Sequence, residues 1–167
     1  MANKTTVTAE PGKQELFITR EFEAPRELVY RAHTEPELYA QWLGPCGMTM
    51  KIDKFAHEAG QPWRDIFTDA NGNSVGFNGV CHYLEAPSMI IRTFEFEGLP
   101  ERGHVSLETA RFEDLAVGRS RVNIQCVFKS VADRDGMVDS GMENGVNAGH
   151  AQLDELLEKM KGQAAHN

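Results

Sequence analysis

Between residues 15 and 22 the sequence ELFITREF alternates. Leu16, Ile18 and Phe22 fall on one side and Phe17, Thr19 and Glu21 on the other, the period-two pattern of a strand. The next stretch, APRELVYRAHTEPELYAQWLGP, changes period. Leu28, Val29 and Ala32 recur at helical spacing after Pro25, a residue suited to a first helical turn. Thr34 and Glu37 have capping-box spacing for a second short helix, in which Leu38 and Trp42 share a face and which Gly44-Pro45 ends. From residue 48 to 129 the strand pattern returns in MTMKIDKFA, PWRDIFTD, SVGFNGVCHYLEA, SMIIRTFEFE, HVSLETARFED and RSRVNIQCVFKS, six segments joined by short turns such as DANGN. In the last of these, Val122, Ile124, Cys126 and Phe128 alternate with Arg121, Asn123 and Gln125, as expected of an antiparallel sheet covered on one side.

The chain closes on a helical pattern that starts between Ser130 and Asp135. Its apolar stripe is Val138, Met142, Val146, Leu153, Leu156, Leu157 and Met160, and Gly162 is placed to cap it. An acidic start and a basic end suit the helix dipole. The order predicts an α+β fold: a strongly curved antiparallel sheet of about seven strands, two short helices after the first strand, and one long helix across one face. Residues 1–14 read as a mobile polar tail, 15–161 as a single domain, and 162–167 as a short C-terminal tail.

Along that last helix a glycine recurs every fourth residue, at Gly141, Gly145 and Gly149. Each costs about 1 kcal/mol against alanine in a helix interior. Two purposes would explain the loss: close approach to a neighbouring backbone, or space left between helix and sheet. Aromatic residues scattered over the strands favour space, because apolar walls with a few polar groups are what small-molecule pockets require. The expected lining is Trp42, Met48, Trp63, Phe67, Phe77, Phe94, Met142, Gly145, Val146 and Gly149, with FEGLPERGH (96–104) as a mobile lip. The expected guest is a small hydrophobic or amphipathic molecule, bound mainly by burial of apolar surface.

Composition narrows the partners. The 167 residues are 41% hydrophobic and 25% charged, with 17 basic against 25 acidic residues and a net charge of −8. That balance argues against a nucleic-acid groove or an anionic membrane surface. No apolar run approaches the roughly 20 residues of a spanning helix. Cys46, Cys81 and Cys126 are sparse and unpaired in spacing, which points to reduced thiols in the cytoplasm. Oligomeric state is open between monomer and homodimer.

Chemistry is weakly marked. The six histidines have no HxxxH pair and there is no CxxC, so neither a metal nor any cofactor is expected. His33 and His150 read as helix-surface residues and Cys46 as a loop thiol; no catalytic nucleophile is assigned. Asp65, Arg92, Glu108 and Arg111 would supply acid–base chemistry if strand register turned them inward, whereas a salt-bridged outer face is the commoner fate of such residues.

The segments ITREFEAPRELVYRAHTEPELYAQWLGP, GFNGVCHYLEAPSMIIRTFEF, ETARFEDL and GMENGVNAGHAQLDELL, in that order, closely resemble the activator-of-heat-shock-protein-90-ATPase homologue-like family of the START-like (SRPBCC) superfamily of helix-grip domains. The resemblance covers about residues 15 to 160. It implies a curved sheet gripping the C-terminal helix around a cavity, with polyketide-cyclase-like catalysis or contact with a chaperone as alternatives to ligand binding. Two positions depart from the family: Leu43 stands where a second tryptophan is common, and Val146 where an aromatic often follows the middle glycine. Both changes would enlarge or reshape the apolar cavity that the resemblance implies.

Overall fold

The computed structural model describes residues 3–44 and 47–165. The elements run β1 (Thr6–Thr8), β2 (Glu15–Phe22), α1 (Arg26–Thr34), α2 (Pro36–Trp42), β3 (Thr49–Lys54), β4 (Pro62–Thr68), β5 (Ser74–Glu85), β6 (Met89–Phe96), β7 (Val105–Asp114), β8 (Ser120–Phe128), α3 (Val131–Asp139) and α4 (Met142–Ala164). Every neighbouring pair of strands is antiparallel, in the order β1-β2-β8-β7-β6-β5-β4-β3. The result is one open, curved, eight-stranded sheet with the helices on its concave side. The strand at residues 15–22 and the six that follow stand within two residues of the expected limits.

Four expectations change. Residues 1–14 are not wholly a tail: Thr6–Thr8 adds an eighth strand beside Thr19–Phe17, and buried Thr5 bonds through its Oγ1 to His150 Nδ1 at 2.7 Å. Thr34 does not cap α2; it ends α1, its hydroxyl donates to the Tyr30 carbonyl at 2.9 Å, and Glu35 takes the cap position with no side-chain bond. The closing helix is two helices. Ser130 caps α3 by accepting from Asp133 N at 3.0 Å. The chain then turns at Gly141, whose φ of +84° lies in the left-handed region that an L side chain rarely adopts. Gly162 lies inside α4 rather than capping it.

The apolar stripe of α4 falls where its spacing requires. Leu153, Leu156, Leu157 and Met160 pack with Phe22, Val29, Phe112 and Val122 in the main core. A second cluster joins Leu16 and Ile18 of β2 to Cys126 and Phe128 of β8, with Met142 and Val146 of α4 against it. Fully burying an aliphatic or aromatic side chain of this kind stabilises the fold by about 1.5–3 kcal/mol. Between Ile18 and Phe22 the inward position is Arg20, 4% exposed, whose guanidinium meets Asp154 of α4 through two bonds of 3.0 and 2.6 Å. This bidentate pair fixes α4 against β2. No helix among the described residues is long and apolar enough to cross a membrane.

Candidate binding site on the concave face

Strand register decides what faces the helices at the centre of the sheet. Opposed residues in an antiparallel pair share a face. Trp63 stands opposite Gly79, Asp65 opposite Phe77, and Phe77 opposite Phe96. Trp63, Phe67, Phe77 and Phe94, four of the ten residues expected to line a pocket, meet in one aromatic group. Ring centroids are 5.5 Å apart for Phe67–Phe77, 5.4 Å for Phe77–Phe94 and 5.9 Å for Trp63–Phe94. Phe96 joins at 5.2 Å from Phe77. Gly79 makes this possible: a Cβ there would overlap the Thr93 carbonyl and the Trp63 indole, which crosses the strand to donate Nε1–H to that carbonyl at 3.1 Å.

Beside the aromatics runs a polar row. Cys81, Arg92, Glu108 and Cys126 stand opposite one another in turn across β5, β6, β7 and β8. The Arg92 guanidinium lies 4.2 Å above the Trp63 ring, a cation–π arrangement. Its Nη1 is 3.5 Å from the Tyr39 hydroxyl, and its Nη2 is 3.8 Å from Glu108 Oε1. Tyr39, carried by α2, donates to Asp65 Oδ2 at 3.2 Å. Asp65, Arg92 and Glu108 are therefore inward, against the commoner expectation of a salt-bridged outer face. Arg111 is exposed, opposite Met89 and Asn123.

Burial sets the electrostatics. It pushes the Asp65 carboxyl up to about 6, against the opposing pull of Arg92 and the Tyr39 hydrogen bond. The Tyr39 phenol is raised for the same reason. Burial alone would lower Arg92; Tyr39, Glu108 and Asp65 around it outweigh that and keep it charged. Both Cys81 and Cys126 are buried thiols pushed up by burial, so they act as small apolar walls and not as nucleophiles.

Strands β5 to β7 lie in the middle of the sheet, yet Phe77, Phe94, Arg92, Glu108 and Ala110 on their inner side all remain partly exposed. By contrast Leu16 and Phe22 on the flanking β2 are wholly buried. Part of the surface of these inward side chains is therefore open to solvent at the centre of the sheet. Two shallow concavities lie elsewhere: about 450 Å³ beside Thr6, Thr19 and Arg121, and about 230 Å³ beside Arg64, Gly76 and Glu97.

The remaining expected residues are dispersed. Trp42 is buried in the main core and donates to the Ala32 carbonyl at 2.9 Å. Met142 and Val146 sit on the second cluster, and Met48 is half-buried just before β3. The glycines have three different settings. Gly141 makes the left-handed turn, a Cβ on Gly145 would meet nothing within 4 Å, and one on Gly149 would touch the Trp42 carbonyl and ring at 3.7–4.0 Å.

Two histidines expected on helix surfaces point inward. His33 packs between Trp42 and Phe112, with Nδ1 2.8 Å from the Val29 carbonyl. His150 is buried against Phe22 and Thr5. Removal from water depresses both, His33 to about 4 and His150 to about 3. The expected lip at 96–104 is tied at its base, where Glu95 bonds Arg102 and the Gly103 amide, and where His104 reaches Asp133 at 2.9 Å. Cys46 lies outside the described residues. Tyr39 was missing from the expected lining, although its place on the Trp42 side of α2 was a usable signal. Among the described residues no cluster has the ligand set of a metal ion.

A curved antiparallel sheet gripping a C-terminal helix, with an aromatic and polar concave face, defines a helix-grip domain. Residues 23–158 match the family described as Activator of Hsp90 ATPase homolog 1-like protein, and the chain belongs to that family. A Rhodobacter sphaeroides protein of known crystal structure is 22% identical, over 93% of this chain and 99% of that one, with a TM-score of 0.83. The solution structure of a protein from Arthrobacter aurescens is 22% identical over 92% and 91%, with a TM-score of 0.81. The AHSA1 protein from Silicibacter pomeroyi is 18% identical over 87% and 99%, with a TM-score of 0.70. At these identities the likeness speaks to fold alone. No curated protein matches the chain.

Proposed function

We propose that the concave face binds a small, largely apolar molecule over β5 to β7, its ring or chain against Phe77 and Phe94 and its polar end toward Arg92 and Glu108. The observation that carries this is the partial exposure of inward-facing side chains at the centre of the sheet, where a filled core would hide them. Burial of apolar surface supplies the affinity, about 25 cal/mol per Å² covered. The place of action is the cytoplasm, in keeping with the free thiols of Cys81 and Cys126. Titrating ¹⁵N-labelled protein with naphthalene tests the reading. Amide shifts confined to β4 to β7 and α2 support it; an unchanged spectrum at the solubility limit overturns it.

A second reading, acid–base catalysis in the same space, is favoured by one observation. Asp65 and Tyr39 form a buried hydrogen-bonded pair in which the carboxyl is raised toward neutrality, as groups used for proton transfer often are. Turnover lost in Asp65→Asn but ligand binding retained would establish it; equal binding and no turnover of any bound carbonyl compound would remove it.

A further inference from the structure

We infer that the site selects uncharged aromatic hydroxyl compounds, phenols or enols, over carboxylates and amines of the same shape. The inference rests on the binding reading above and concerns what the polar end recognises. Among the described residues, Arg92 makes one side-chain hydrogen bond, at 3.5 Å, and Glu108 makes none; the two heads stand 3.8 Å apart. These distances exceed the roughly 2.7–3.2 Å of a good N–H···O bond. Both groups are nevertheless partly accessible, with 27% of the Arg92 side chain and 16% of the Glu108 side chain exposed. A guanidinium with idle donors thus faces a carboxylate with idle lone pairs, across a gap too wide for them to satisfy one another.

A hydroxyl group matches both at once. Its oxygen accepts from an Arg92 N–H and its hydrogen is donated to Glu108. A ligand carboxylate gains Arg92 but meets Glu108, with Asp65 behind it; a ligand ammonium gains Glu108 but meets Arg92. Rejection by an unmatched buried charge is stronger than the attraction of one more contact. The aromatic requirement comes from the neighbours. Phe94 follows Arg92 by two residues on the same face of β6, so a ring fused to the hydroxyl lies along Phe94 and Phe77.

The test compares four probes of one shape by calorimetry and amide shifts at neutral pH: naphthalene, 2-naphthol, 2-naphthoate and 2-naphthylmethylammonium. 2-Naphthol should bind at least about tenfold more tightly than naphthalene, since a charge-assisted hydrogen bond is worth that much, and more tightly than either ion. Glu108→Gln should narrow the 2-naphthol advantage and improve 2-naphthoate, because the repelling charge is gone while the side-chain shape stays. If 2-naphthol and naphthalene bind equally, or 2-naphthoate binds best, the hydroxyl selectivity is overturned while hydrophobic binding stands. If none of the four shifts a concave-face amide, the binding reading itself falls. The wild-type ranking needs no variant, so the outcome is readable even if Glu108→Gln folds poorly.

Discussion

Replacing Asp65 by asparagine should make the protein more stable at neutral pH, by an amount that appears only as the pH rises. Asp65 is 2% exposed, and its hydrogen bond is the one from Tyr39. Burial lifts the carboxyl from 3.8 to about 6. A carboxyl whose folded value lies above its unfolded value favours folding while protonated, and that advantage is lost as pH climbs from the unfolded value through the folded one. At about 1.4 kcal/mol per unit, the rise corresponds to roughly 3 kcal/mol of folding free energy given up by neutral pH. Asparagine keeps an oxygen to accept from Tyr39 and never acquires the charge. Urea unfolding of wild type and Asp65→Asn would measure it: nearly equal stabilities at about pH 4, and a gap of roughly 3 kcal/mol favouring the variant at about pH 7.5, with unchanged m-values. A gap that does not vary with pH, or a variant less stable than wild type at neutral pH, would refute the reasoning. Such a perturbed carboxyl is what makes Asp65 a candidate for the proton-transfer role proposed above.

The glycines of the C-terminal region should separate by substitution. Gly145→Ala, which adds a methyl group to open space inside α4, should raise stability by about 1 kcal/mol in thermal or urea unfolding, whereas Gly141→Ala should lower it by at least as much, because φ there is +84°. Acid should unfold the protein through His33 and His150. Both have depressed folded values, so the stability they contribute is complete above the ordinary histidine value of 6.5 and is lost as pH falls below it; replacing His33 with asparagine should flatten that part of the stability–pH curve. The contact of His104 with Asp133 has the opposite sign. Its hydrogen bond raises His104, so this link is strongest at mildly acid pH and weakens as pH rises through the folded value, which amide exchange in the 96–104 loop would follow.

Strand periodicity was the most legible signal, because a one-residue slip would carry every apolar side chain to the wet face. Leu16, Ile18 and Phe22, and likewise Val122 to Phe128, stand where alternation placed them. Trp63, Phe67, Phe77 and Phe94 were legible as strand aromatics that could share a wall. Their grouping was not, since it depends on which strands become neighbours and on Gly79 admitting the Trp63 indole. The inward turn of Asp65, Arg92 and Glu108 escaped composition rules because each answers another across strands far apart in sequence. Thr6–Thr8 was invisible for a different reason: three residues are too few for periodicity, and the neighbouring Thr5 is anchored on His150, 145 positions away. The glycine row was legible as a feature but not in its parts: even spacing treats the three alike, while the structure gives Gly141 a turn, Gly145 open space and Gly149 contact with Trp42.

The outer face of the sheet also shows apolar side chains, Phe17, Leu107 and Val127 among them, and offers a ligand a competing place to rest. Intermolecular nuclear Overhauser effects from bound 2-naphthol settle which face is used. Binding on the concave face gives contacts from the naphthol ring to the ring protons of Trp63, Phe77 and Phe94. Contacts to Phe17, Leu107 and Val127 instead would contradict it.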